Sequence, residues 1–248
     1  MKSILSIILM FFMVNVSLAQ TAEEIIRKAE EKMRGKESAY MEMSIETIRP
    51  KWSRSMSLKS WGKGNDYSLM VLTEPSKDAG TAFLKRHKEV WNWVPSIERS
   101  IKMPPSMMSQ SWMGTDMSND DLVRESSSVR DYTHTIEKDT MIDGRKCWKI
   151  VLMPKPDAPV VWGKLEAFVD QQDYVQLLLR QYDEDEYLIN EMVSSDIKEM
   201  DGVVMATRME LIPIEKPGNK TVMVINKIKF NEEYEDSFFT VQNMKRIR

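Results

Sequence analysis

From Ser38 almost to its end, the chain sets apolar residues at every second position, a rhythm broken by turn residues and by one longer stretch between Met103 and Tyr132. No other feature narrows its possible folds as far. Met41, Met43 and Ile45 alternate with Glu42, Ser44 and Glu46, and Met56 and Leu58 alternate with Ser55, Ser57 and Lys59. A period of two turns the apolar set to one face of a strand and the polar set to the other. Further strands are predicted at 67–73, 81–85, 89–94, 133–141, 147–153, 164–170, 174–183, 187–200, 203–213 and 221–230. Gly62-Lys63-Gly64-Asn65, Asp143-Gly144, Asp183 to Glu186, Asp201-Gly202 and Pro217-Gly218-Asn219 supply the turns between them. Because no helical period lies between the strands from 133 to 230, a parallel sheet has no crossover helices to build with there, and successive hairpins predict an antiparallel meander.

Two regions depart from that rhythm. Thr21-Ala22-Glu23-Glu24 reads as a capping box, and Ile25, Ile26, Ala29 and Met33 then recur at helical spacing before Gly35. One amphipathic helix therefore opens the fold. Between Met103 and Tyr132 the alternation stops: Pro104-Pro105-Ser106 suits a helix start, and Met107, Met108, Trp112 and Met113 predict a short apolar helix. A second short helix is predicted from Ser118 through Val123, with Ser118 as its N-cap and Asp120 and Asp121 in its first turn.

Ahead of the opening helix, Lys2 precedes an almost unbroken apolar run from Ile4 to Val14, and Ser17-Leu18-Ala19 places small residues where a signal peptidase reads. The run is shorter than the ~20 residues of a spanning helix. Residues 1–19 are read as a cleaved signal and 20–248 as one domain. Gln20 follows the small residues, so no cysteine stands there to take a lipid. A short positive start and a single cysteine in the whole chain suit a bacterial periplasm.

The chemistry that the sequence excludes is broad. A net charge of −3 gives no global positive field for nucleic acid. One Cys and two His leave no set of soft metal ligands, and no cofactor is expected. Neither a G-x-S-x-G elbow, an H-E-x-x-H pair nor a glycine-rich phosphate loop occurs, and the chain is read as a non-enzyme. Asp116, Asp120 and Asp121 lack the spacing of a calcium loop, and helix capping accounts for them more simply. Cys147 is read as a small buried hydrophobe.

What remains is an excess of soft apolar side chains. Of 21 methionines, 18 lie beyond residue 19, and Met103, Met107, Met108, Met113 and Met117 crowd around Trp112. Methionine is flexible and polarizable and is over-used at surfaces that accept apolar partners of varied shape. Such a stripe equally serves to plug a β core.

Val90-Trp91-Asn92-Trp93-Val94-Pro95, then Arg99 and Ile101, then Trp112-Met113-Gly114-Thr115-Asp116-Met117-Ser118-Asn119-Asp120-Asp121-Leu122 resembles the outer-membrane lipoprotein-sorting proteins of the LolA-like superfamily. Met117 stands where that family more often has an aromatic residue. The resemblance implies a single curved antiparallel sheet, an incomplete β-barrel, with the N-terminal helix and short lid helices over its concave face. It implies a periplasmic carrier that shields acyl chains of lipoproteins or lipids on the way to the outer membrane, served by an inner-membrane exporter and an outer-membrane acceptor. An accessory lipid-binding protein for an exporter, or a lipid-sensing domain, are the alternatives. Strand period puts both indoles of Trp91 and Trp93 on one face, and a Met/Trp helix is expected to lie over it. Trp91, Trp93, Met103, Met107, Met108, Trp112 and Met113 are thus the expected ligand-binding residues. Arg99 is the expected gate, its guanidinium bonding lid carbonyls, with a solvated strand arginine as the plain alternative.

Intact-mass measurement on protein from its own host should show a chain that starts at Gln20 without added lipid. A retained leader or a diacylglycerol increment would overturn the reading of residues 1–19.

Overall fold

Thr21 starts the first helix, α1 (Ala22–Arg34), its hydroxyl accepting the Glu24 N–H at 3.2 Å. Glu23 and Glu24 sit in the first turn and Lys32 and Arg34 in the last, which complements the helix dipole at both ends. Gly35 stops the helix at φ +70°, its N–H reaching the Glu31 carbonyl at 2.9 Å. A Cβ there would stand 2.4 Å from the Ser38 carbonyl oxygen, so both conformation and space demand glycine. These residues open a computed structural model that describes residues 20–35, 37–123 and 127–247. The signal expected at 1–19 lies outside them.

The alternating segments form β1 (Ser38–Arg49), β2 (Trp52–Lys63), β3 (Tyr67–Glu74), β4 (Ala82–Arg86), β5 (Glu89–Val94) and β6 (Arg99–Met103). A loop and the short helix α2 (Asn119–Val123) follow. Then come β7 (Tyr132–Ile136), β8 (Thr140–Ile142), β9 (Arg145–Pro154), β10 (Lys164–Asp170), β11 (Gln176–Tyr182), β12 (Leu188–Met200), β13 (Val203–Pro213), β14 (Lys220–Phe230) and the one-turn helix α3 (Val241–Met244). The run predicted as one strand at 133–141 is two, because the charged stretch Glu137-Lys138-Asp139 leaves the ladder; β7 and β8 lie end to end along β9.

All pairings are antiparallel, within one 14-stranded sheet ordered β6-β5-β4-β3-β2-β1-β14-β13-β12-β11-β10-β9-β7. The sheet does not close, and β14 joins its two halves by pairing with β1 on one side and β13 on the other. Helix α1 touches β1 and β13 as well as β10 and β7. In the ladder β1 and β7 are seven steps apart, about 34 Å at the usual strand spacing. A helix of 13 residues is only about 20 Å long and 10–12 Å across. The sheet must therefore wrap around it.

Two apolar clusters fill the inside of that curve. Ile25, Ile26 and Ala29 of α1 pack on Ile150, Leu152, Leu165 and Ala167. Met43, Ile45, Met56, Leu58, Met70, Leu72, Phe83, Val90, Met209 and Ile225 form the other, and Met108, Trp112 and Met117 cover it. The segment at Met107 to Met113 is not the helix that its residues predict. Only Pro105–Met107 makes a single 3-10 turn, and Met113 and Gly114 adopt φ of +47° and +79°, which no helix continues through. The second predicted helix, α2, does form behind Ser118.

The outer face has a cover of its own. Leu69, Val71, Ala82, Leu84 and Trp93 pack beneath Phe239 and Met244, which are fully buried. Tyr234, Phe238 and Phe239 form an aromatic chain there, with Phe238 and Phe239 edge to face at 5.2 Å. Phe239→Ala should cost about 3–5 kcal/mol in urea unfolding monitored by circular dichroism. A loss below ~1 kcal/mol would mean that this segment does not cover the sheet in solution.

Candidate functional site

Between the part of the inner face under α1 and the part under the loop lies a cavity of about 130 Å³. Eight of its 17 lining residues are methionines: Met33, Met41, Met43, Met70, Met117, Met192, Met209 and Met223. Apart from Met33 of α1 and Met117 of the loop, these methionines come from strands, at positions whose side chains point inward. A second cavity, of about 190 Å³, shares Met33, Arg34, Asp121 and Met192 with it and continues beneath α1 past Tyr132, Leu165 and Leu179. The inner face thus holds a trough with walls that can change shape, because each methionine turns about three bonds.

The loop before α2 is the trough's third wall, and its motif residues fold it. The Trp112 N–H donates to the Met117 carbonyl at 2.8 Å, and the Thr115 hydroxyl donates to the Trp112 carbonyl at 2.7 Å. Trp112 is fully buried, with its ring 5.7 Å from that of Phe83. Asp116 ties the loop to the sheet twice: to Thr221 of β14 at 2.8 Å and to Arg49 at the end of β1 at 2.8 Å. The Arg49–Asp116 pair is largely out of solvent, with side chains 13% and 5% exposed. Arg49 also donates to the Gly114 carbonyl at 3.1 Å. Asp121 fixes the far end. One oxygen accepts the Ser118 N–H and the other accepts Trp162 Nε1 and Gln181 Nε2, both at 3.1 Å.

One wall of the cavity is charged. Lys85, inward on β4 beside Phe83, is only 5% exposed. Burial pushes its ammonium down to about 8, and the positive charges of Arg34 and Arg130 push the same way. Arg34 ends α1 on the same wall, bonded to Asn65 Oδ1. Cys147 is buried on β9, and burial pushes its thiol up to about 11, the state of an inert core residue.

Met103, Met107, Met108, Trp112 and Met113 do come together over β2–β5, with Met103, Met108 and Trp112 buried and the other two packed against them. They form the packed end of the inner cluster and lie beside the open cavity. Trp91 and Trp93 depart from expectation. They do share a face, but it is the outer one, where Trp93 packs with Phe239 and Met244 and Lys245 lies 5.3 Å over its ring. Val90 is the residue of β5 in the inner cluster, so parity sends both indoles away from the methionine loop. Arg99 is exposed at the start of the edge strand β6, and among the described residues it makes no hydrogen bond to the loop. The guanidiniums that hold loop carbonyls belong to Arg49 and to Arg54, which reaches the Met113 carbonyl at 3.4 Å. No motif marks those two, since the β1–β2 hairpin and the loop meet only in the folded chain. The cavity methionines had a usable signal, because they occupy the inward phase of the alternation that defines the strands. A lysine in that phase at position 85 was equally legible.

A family model described as "Uncharacterized protein" matches residues 64–246, and the chain belongs to that family. No curated protein matches it. Its fold is that of the LolA superfamily. A LolA superfamily protein from Nitrosomonas europaea superimposes with a TM-score of 0.79 at 23% identity, over 90% of this chain and 99% of that one. A domain described as outer membrane lipoprotein-sorting, from Vibrio parahaemolyticus, gives 0.77 at 22% identity, over 91% and 100%. A DUF1329 family protein from Desulfovibrio piger gives 0.80 at 20% identity, over 90% and 97%.

Lys85 makes a measurable demand on pH. Its folded-state value of about 8 lies below the ordinary 10.5, so between those values the unfolded chain holds the proton and the folded one does not. Stability contributed by this group should therefore rise as pH climbs through that window, by up to about 3 kcal/mol. Urea unfolding of wild type and Lys85→Met from pH 7.5 to 10.5 should show the variant's advantage shrinking as pH rises. A constant difference would mean that Lys85 is solvated.

Proposed function

We propose that this protein is a periplasmic carrier that shields acyl chains of lipoproteins or lipids as they move toward the outer membrane. The methionine-lined trough supports this reading most directly. A cavity near 150 Å³ takes a molecule the size of benzene, and the space beside Met43 and Met209 is of that order, about 130 Å³. A long chain needs more. The adjoining space under α1 and the give of the methionine walls can supply it once the loop carrying Met117 lifts. Each methylene moved from water into that lining gains about 0.8 kcal/mol, so a single chain binds without any specific polar contact.

In this reading the loop at 104–118 is the lid, and the Arg49–Asp116 pair and the Asp116–Thr221 bond are its latch. The inner-membrane exporter and outer-membrane acceptor are the partners that such a carrier needs to load and unload.

A fluorescent fatty-acid probe should bind the wild type, and Met70→Trp, which fills the cavity, should weaken binding at least about tenfold while the sheet signal stays intact. Hydrogen exchange should show residues 104–118 gaining protection when the probe binds. A Met70→Trp protein that binds as tightly as wild type would refute the cavity as the acyl site.

A further inference from the structure

We propose that the paired tips of the β1–β2 and β13–β14 hairpins rest on a phospholipid bilayer, with Trp52 and Ile214 seated at headgroup depth. Both side chains are large and apolar, yet Trp52 is 53% and Ile214 43% exposed. Ladder pairing brings the two tips to one end of the sheet, with Arg49 opposite Trp52 and Ile48 opposite Lys220. The tips touch: a Cβ added at Gly218 would stand 3.2 Å from the Pro50 ring. Lys51 and Lys216 flank the two apolar residues, both exposed and without an ion pair among the described residues. Glu215 is the one acid on these turns.

The occupant follows from the chemistry of the tips and from what lies beside them. A stable protein interface takes about 800 Å² from each partner, and two partly exposed side chains on turns offer far less. An indole at headgroup level, with lysines beside it to meet phosphates, is an arrangement by which proteins rest on bilayers. The neighbouring β11–β12 tip, Asp183 to Glu186, is acidic and is held off phosphates, which keeps the contact shallow and confined to two tips. So small an anchor binds weakly and lets go, as a shuttling protein must. The tips also adjoin the loop before α2. Arg49, whose guanidinium lies 5.7 Å from the centre of the Trp52 ring, holds Asp116 and the Gly114 carbonyl of that loop. A cleft of about 650 Å³ opens between loop and tips, with Lys216 and Asn219 on one side and Ser111 and Met117 on the other. Met117 lines the methionine cavity as well. Given the carrier reading, on which this consequence rests, cargo passes between cavity and bilayer at this end of the sheet.

Two measurements on the protein as its host produces it test the contact: sedimentation with vesicles of phosphatidylcholine and phosphatidylglycerol, and quenching of tryptophan emission when the phosphatidylcholine chains carry bromine. The wild type should sediment with the vesicles and lose emission to bromine. Trp52→Tyr keeps an interfacial aromatic, so it should sediment to within about threefold of wild type yet lose the quenching, because no other tryptophan enters the bilayer. Trp52→Ser combined with Ile214→Ser should sediment at least about fivefold less, while its circular dichroism and thermal midpoint match the wild type. A double variant that sediments like the wild type overturns the proposal, and so does quenching that survives in Trp52→Tyr. Failure of the wild type to sediment, the result expected if these tips meet a protein instead, also overturns it; binding of the fatty-acid probe then leaves the carrier reading standing. Vesicle binding through Trp52 without any probe binding keeps the membrane contact and removes the carrier reading.

Discussion

A single curved sheet with no second sheet behind it has to cover an apolar inner face wider than any one element can reach. In this protein α1 covers one end with Ile25, Ile26 and Ala29, and a loop anchored by Trp112 covers the other. Only their edges, Met33 of α1 and Met117 of the loop, reach the middle, and there methionines from the strands supply most of the remaining apolar lining. Leucine or isoleucine there would fix one packing, whereas methionine lets the walls settle around whatever volume is present. The site therefore follows from the geometry of the cover.

The loop's fastening has the same logic. Its buried tryptophan gives it a reason to stay down, and its polar anchors on Asp116, Thr221 and Arg49 are few and largely out of solvent. An element held by a few side-chain contacts can open locally, whereas a strand is held along its whole length by ladder hydrogen bonds. Loop and sheet can thus differ in stability although their apolar residues belong to one cluster.

The sheet was largely legible because its information is local: alternation fixes which side chains point in, and turn residues fix where strands end. Ser118 was equally readable as a cap, and in the fold it makes a reciprocal bond pair with Asp121. Met107 to Met113 misled because apolar spacing alone does not distinguish a helix from a compact loop; the left-handed backbone at Met113 and Gly114 decided the outcome. The tryptophans of β5 misled in another way. Period two puts them on one face but does not say which face, and the tail residues Phe239 and Met244, 146 and 151 positions after Trp93, settle it. Arg49 was out of reach for a similar reason, since its partner Asp116 is 67 residues away.

The place of β14 in the ladder has a consequence for time. Among the described residues the half-sheet from β6 to β1 and the half from β13 to β7 are joined in the ladder through this strand, which is the last of these strands to be synthesised. Until residue 230 arrives, β1 and β13 each present a bare, long edge, the kind that recruits foreign strands. The residues that shield the outer face of β3–β5 come later still. Closure of this sheet is thus a late, long-range event with a high loop-closure cost, and a nascent chain of this kind depends on being held unfolded, or at least apart from its neighbours, until its final twenty residues are delivered.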